Sequence, residues 1–291
     1  MTTQVGSQGI VTANTGGAAT TAAVGNYFNE RGWTSQDLIP VNQPAIKSGY
    51  TTFVDDKDGT IVTTVGVNYT KGVFKIKDIN QGQTDEILIG TGANTKVTGT
   101  DQGNNVTIID DANHLVKLGK GDDLITNLGS GGGTFRGGEG SDTMIGGSGS
   151  EIMYGGMGKD VLQGGGGSDN LFGGKGADVV SGGDGDDFMK GGYGKDVLTG
   201  GAGNDVMKGG QGKDTFVFGS EHTGQDIITD FKKGDTLNLL GKQQAGIKFT
   251  VQQEGENTVV VFNDGSGDKI TLVNVDADKL QDPDGDGFFN I

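Results

Sequence analysis

The chain has 291 residues, among them 59 Gly, 3 Pro and no Cys, with 32% hydrophobic residues and a net charge of −16. So little apolar material leaves burial unable to hold a fold of this length alone, and without Cys there are no disulfides or thiolate metal sites. The acidity makes phosphate backbones and anionic lipid surfaces poor partners and nucleic acid an unexpected one, and makes cations the natural counter-partner.

Residues 1–45 are rich in Thr, Ala and Gly, with a short helix expected over 22–31 and Pro40 and Pro44 behind it. This pattern predicts a flexible or docking segment. The first ten residues have neither a basic start nor an apolar run, so no ordinary secretory leader is expected, which by itself reads as cytoplasmic. No run of about 18 apolar residues predicts a transmembrane segment.

Residues 46–118 carry short β-branched runs, TTFV, TIVTTVGV, GVFKIKDI and DEILIG, separated by polar turns. Lys57-Asp58-Gly59 predicts a hairpin turn. Val97, Val106, Leu115 and Leu124 recur every nine residues without glycines, which predicts solenoid rungs that hold no metal.

Over residues 119–218 the period becomes explicit. Gly119-Lys120-Gly121-Asp122-Asp123-Leu124-Ile125 is a first unit, shifted by one residue, and residues 128–136 keep the spacing with Gly133 where an acid is expected. From Gly137 nine units follow in strict register: GGEGSDTMI, GGSGSEIMY, GGMGKDVLQ, GGGGSDNLF, GGKGADVVS, GGDGDDFMK, GGYGKDVLT, GGAGNDVMK and GGQGKDTFV. Positions one, two and four are Gly throughout, position six is acidic, and position eight is apolar.

Glycine admits backbone conformations closed to other residues and lets carbonyls turn inward, while the acid adds a hard anionic oxygen. Calcium takes six to eight oxygens, more than one such loop can offer. Two nonapeptides make one coil, so loops 18 residues apart stack, about 4.8 Å apart. Ions between them would draw on two columns, Asp142, Asp160, Asp178, Asp196 and Asp214 on one side and Glu151, Asp169, Asp187 and Asp205 on the other. Asp123 is a further candidate. The carbonyl ligands expected are those of the glycine pairs Gly137 and Gly138, Gly146 and Gly147, Gly155 and Gly156, Gly164 and Gly165, Gly173 and Gly174, Gly182 and Gly183, Gly191 and Gly192, Gly200 and Gly201, and Gly209 and Gly210. About seven or more ions would result, from pairing each unit with the second one after it. One inward residue in nine contributes about 2 kcal/mol by burial, less than the roughly 1 kcal/mol per residue lost in ordering nine of them. Folding and ion binding are therefore expected to be coupled.

Residues 219–291 predict strands over FTVQQ, TVVVF and KITLVNV, capping the open end of a solenoid. Asp282, Asp284 and Asp286 alternate like the start of an EF-hand loop but lack its closing Glu. Both a calcium site and a solvated acidic tail fit them. His114 and His222 are the only histidines, and neither HExxH nor GxSxG occurs, so a structural role is expected for both and no enzyme activity is expected. Position seven faces outward yet carries Thr143, Val161, Val179, Val197 and Thr215 on one side. This stripe suits either plain strand propensity or a packing surface.

The nonapeptide resembles the calcium-binding repeat of the RTX family. The resemblance extends over about residues 119–291, since residues 226–240 are similar to the segment after the roll in serralysin-type proteins, and the end of the chain is similar to the acid-then-hydrophobic tail of such substrates. It implies a right-handed parallel β-roll, and together with the β-rich N-terminal part and the C-terminal β cap read above the expected fold is all-β. It also implies uncleaved export through a type I secretion apparatus, with folding on extracellular calcium at a secreted, extracellular or cell-surface location. The expected function is a calcium-stabilised structural protein that self-assembles as a homo-oligomer, fibre or lattice in a surface layer, matrix or adhesive structure. The alternative is a secreted effector or enzyme that uses the roll as an export and folding module.

Overall fold

The computed structural model describes residues 94, 96–99, 101–109, 111–282 and 287–290, with the backbones of strands Leu38–Pro40, Tyr50–Asp55, Ile61–Val65, Val73–Lys75 and Asp85–Ile89. The helix expected over 22–31, most of the segment expected to be flexible or docking, the turn at 57–59, and Asp284 and Asp286 lie outside the described residues.

Successive strands alternate between two long sheets, one of 13 strands and one of 12, and the chain forms a parallel β-solenoid. Through the nonapeptides each residue pairs with the one 18 further on. Thr143, Val161, Val179, Val197 and Thr215 stand side by side on the larger sheet. Ile152, Asn170, Phe188 and Val206 do so on the smaller one. Strand alternation sends position eight inward, and all nine of these side chains, from Met144 to Phe216, are fully buried. In every unit but the second, the loops close because glycines two and four take left-handed torsions, as at Gly156 (φ 123°) and Gly158 (φ 137°).

Upstream the solenoid continues, but its period is not the uniform nine expected. Leu115 pairs with Thr134 and Leu124 with Thr143, 19 residues apart. Half-coils of nine and ten therefore alternate. The inward series is Val97, Val106, Val116, Ile125 and Phe135. Leu115, expected inside, is 37% exposed, and Leu124 is half-buried. One extra residue per coil moves each strand's inward face by one position. The earliest parallel pairs join Ile61–Val65 to Asp85–Ile89 and Val73–Lys75 to Lys96–Thr98. Before them, Tyr50–Asp55 lies antiparallel to Ile61–Val65, as expected of a hairpin, and Leu38–Pro40 forms the edge.

At the other end Phe249–Glu254 and Asn257–Phe262 form an antiparallel hairpin that joins the smaller sheet through Lys269–Leu272. Phe288–Phe289 closes the larger sheet against Thr236–Asn238. Val260, Phe262, Ile270, Leu272 and Phe289 extend the same core. Among the described residues no helix is long and apolar enough to cross a membrane.

Candidate metal centre

The acids at position six are buried, although nothing apolar about them explains why. Each uses one oxygen to tie its coil to the previous one. The Asp160 Oδ1 accepts from the Asp142 N–H at 2.9 Å, Asp178 from Asp160 at 2.9 Å, Asp196 from Asp178 at 2.9 Å and Asp214 from Asp196 at 3.1 Å. On the opposite side Asp169 accepts from Glu151 at 2.7 Å, Asp187 from Asp169 at 2.8 Å and Asp205 from Asp187 at 2.9 Å. Asp123 extends the first file, accepting from the Asn104 N–H at 2.6 Å.

The second oxygen of Asp123, Asp142, Glu151, Asp160, Asp169, Asp178, Asp187, Asp196 and Asp205 is buried and meets no hydrogen-bond donor. One such oxygen already costs a few kcal/mol, more when ionised. Nine of them stand in two files, a donor set that suits a cation.

The space around them has the right lining. A Cβ on Gly173 would lie 2.6 Å from Asp178 Oδ2 and 2.7 Å from the Gly191 carbonyl oxygen. Gly155, Gly164 and Gly182 face the same pairing of a carboxylate with the glycine carbonyl one coil on, while Gly191, Gly200 and Gly209 face the carboxylates of Asp196, Asp205 and Asp214. These position-one glycines are absent from the left-handed set, so it is room rather than torsion that demands them. Among the described residues no three Asp, Glu, His or Cys side chains form a metal-holding group. The seats instead combine carboxylates from stacked loops with backbone carbonyls. This all-oxygen donor set suits calcium, which tolerates irregular geometry and takes carbonyls readily. Bound there, calcium would supply the positive charge that the ionised files lack.

Without a cation the files resist ionisation. Burial pushes Asp142, Asp160, Asp178, Asp196 and Asp205 up to about 6, Asp123 and Asp187 to about 7, and Glu151 to about 8. Burial also raises Asp169 and Asp214. Backbone N–H donors oppose the shift at most of these sites, and neighbouring carboxylates add to it.

Both files end on groups the chain itself supplies. After Asp214 the next acid is Asp235, whose Oδ1 accepts from the Asp214 N–H at 3.0 Å. Lys232 lies alongside, its Nζ 2.6 Å from the Gly210 carbonyl oxygen, 3.5 Å from Asp214 Oδ2 and 3.4 Å from Asp235 Oδ2. An ammonium thus sits among the oxygens that elsewhere lack any donor. The second file continues to Asp226, which accepts from the Asp205 N–H at 2.9 Å. His222 Nδ1 accepts from the Gly201 N–H at 3.4 Å, and Nε2 faces Asp226 Oδ2 at 2.5 Å. At that file's start the Asn127 amide donates to Glu151 Oε1 at 3.0 Å.

Asp226, Asp235, Lys232 and Asn127 are missed when the strict nine-residue period is followed. The spacing across the exit from the repeats is 21, as from Asp205 to Asp226, and each acid there keeps a single left-handed glycine before it, Gly224 or Gly234, in place of the full glycine loop. The signal available was the pair of acids at 226 and 235, themselves nine apart. Asp282 lies apart from both files, and its Oδ2 accepts from the Gly287 N–H at 3.2 Å.

Residues 128–162, 154–189 and 190–222 match the family model of the RTX calcium-binding nonapeptide repeat (4 copies). No curated protein matches the chain.

Proposed function

We propose that this chain, whose residues 128–222 belong to the RTX calcium-binding nonapeptide-repeat family, is a secreted structural protein that folds on extracellular calcium and assembles with copies of itself. The observation that carries calcium-coupled folding is the double file of buried, donorless carboxylate oxygens. An unfolded chain in the calcium-poor cytoplasm suits passage through a type I secretion apparatus, and millimolar calcium outside suits the weak affinity of extracellular modules. Assembly is supported by the larger sheet. Its outward columns through Thr143, Val161, Val179, Val197 and Thr215, and through Ile145, Gln163, Ser181, Thr199 and Val217, contain no charge. An uncharged face with one wholly β-branched column favours sheet-to-sheet packing in a surface layer, matrix fibre or adhesive structure. No catalytic role is part of this proposal.

Size-exclusion chromatography and electron microscopy at millimolar calcium test it. Concentration-dependent oligomers or ordered arrays, lost on Val179→Lys, are expected. A monodisperse monomer at high concentration contradicts the assembly.

A further inference from the structure

The smaller sheet turns a different face outward. One of its columns runs Lys117, Arg136, Tyr154, Phe172, Lys190, Lys208, one residue per coil in register. Six coils at about 4.8 Å make it roughly 24 Å long. The column two residues back, from Leu115 through Ile152 and Phe188 to Val206, contains no acid either, and Leu115 and Ile152 are each 37% exposed. Lys117, Arg136, Lys190 and Lys208 are all exposed. A chain of net charge −16 thus gathers cations and apolar groups on one side of the roll, while its file carboxylates are buried. The mean charge, which argued against anionic surfaces, conceals this segregation.

The rings decide what such a face can hold. Tyr154 and Phe172 stack at 4.9 Å with 9° between their planes, the Arg136 guanidinium covers the Tyr154 ring at 4.3 Å, and Phe188 lies 5.8 Å from Phe172. Ring faces are thereby used on each other and on Arg136, which disfavours stacking against a sugar or a base. What remains outward is ring edge, which carries partial positive charge, beside aliphatic side chains and Lys tips. That combination matches the headgroup boundary of an anionic lipid layer, where aromatic and aliphatic groups enter the interface and Lys and Arg meet phosphates. At the upstream end an open hollow of about 410 Å³ is lined by Lys117, Arg136 and Tyr154 together with the acid Asp101, and Lys120 and Glu139 pair with each other there.

We propose that the Lys117–Lys208 column is a docking face for an anionic lipid surface. The idea rests on the calcium-folded roll but not on self-assembly.

Flotation of the calcium-loaded full chain with phosphatidylglycerol vesicles, and with phosphatidylcholine vesicles, tests it. The expected result is binding to the former only. Lys190→Glu with Lys208→Glu should weaken it by at least about tenfold, and Phe172→Ala severalfold. The control variant, Lys248→Glu with Lys279→Glu on the exposed C-terminal cap, carries the same charge change and should bind within about twofold of the parent. Equal loss in both charge variants, unchanged binding in the first, equal binding to neutral vesicles, or binding to neither vesicle would overturn the proposal. The far-ultraviolet dichroism of each variant in calcium separates loss of the face from loss of the roll.

Discussion

Gly173 and Gly166 are both loop glycines, yet they answer different needs. At Gly173 a Cβ would enter the space between Asp178 Oδ2 and the Gly191 carbonyl, whereas at Gly166 the nearest atom is Ser148 Cα at 3.6 Å. Gly173→Ala should therefore raise the calcium concentration at half-folding several-fold, while Gly166→Ala should alter stability by no more than about 0.5 kcal/mol. Calcium titration followed by circular dichroism separates the two. Lys232 poses the complementary case, a cation already in place. Lys232→Met frees Asp214 Oδ2 and leaves Asp235 Oδ2 without the ammonium. Calorimetry should then count one more bound calcium than in the parent, and an unchanged count would show that this end of the file is not a seat. Neither Lys232 nor His222 is recognisable from sequence in this role, because each acts through the fold on acids in the file. The nine regular acids and their glycines are recognisable, because every one repeats in register.

A single exchange distinguishes the strands that carry the carboxylate files from those that do not. In the first eight nonapeptides the residue two beyond the buried position eight is Gly, as in Met153 to Gly155, and after Phe216 it is the buried Phe218. One and two coils upstream the equivalent positions to Gly155 are Gly137 and Leu118, and Val116 and Leu118 are both buried. Val106 and Ile108 repeat the pattern on the other sheet. The position-six acid gives way over the same coils, to Asn104 in one file and to Gly133 and His114 in the other. Hydrocarbon thus stands where the files have their oxygens, and two buried side chains per strand double the burial term. Hydrogen exchange after calcium removal should show protection persisting in Asn104–Ile108 and His114–Lys117 after it is lost in Val161–Gly166. Simultaneous loss throughout would mean that the upstream coils depend equally on the metal. The loss of Gly and Asp was visible in the sequence. The change of period showed only in the one-residue shift of the unit at Gly119 and Gly121; further upstream no glycine anchors the count, and a half-coil of ten residues leaves no mark.

Across the molecule the two files, if they seat calcium as proposed above, couple the fold to protons as well as to the ion. Their metal-free carboxyls titrate at about 6 to 8 in several cases, above the roughly 4 of an unfolded chain. Between these values the metal-free folded state binds more protons than the unfolded one, so its stability falls as pH rises through that window. Metal-free protein should accordingly hold more β-structure at pH 5 than at pH 7.5, by far-ultraviolet dichroism. Calcium affinity should move the other way and weaken on acidification, since the ion requires the ionised acids.

The central claim, that calcium supplies the free energy which closes the roll, is tested most directly by adding the ion to metal-free protein at pH 7.5 and following the far-ultraviolet spectrum. A steep, saturable gain of β-signal, reversed by chelator, is the predicted result. A full β-spectrum before any calcium is added, unchanged on titration, would contradict it.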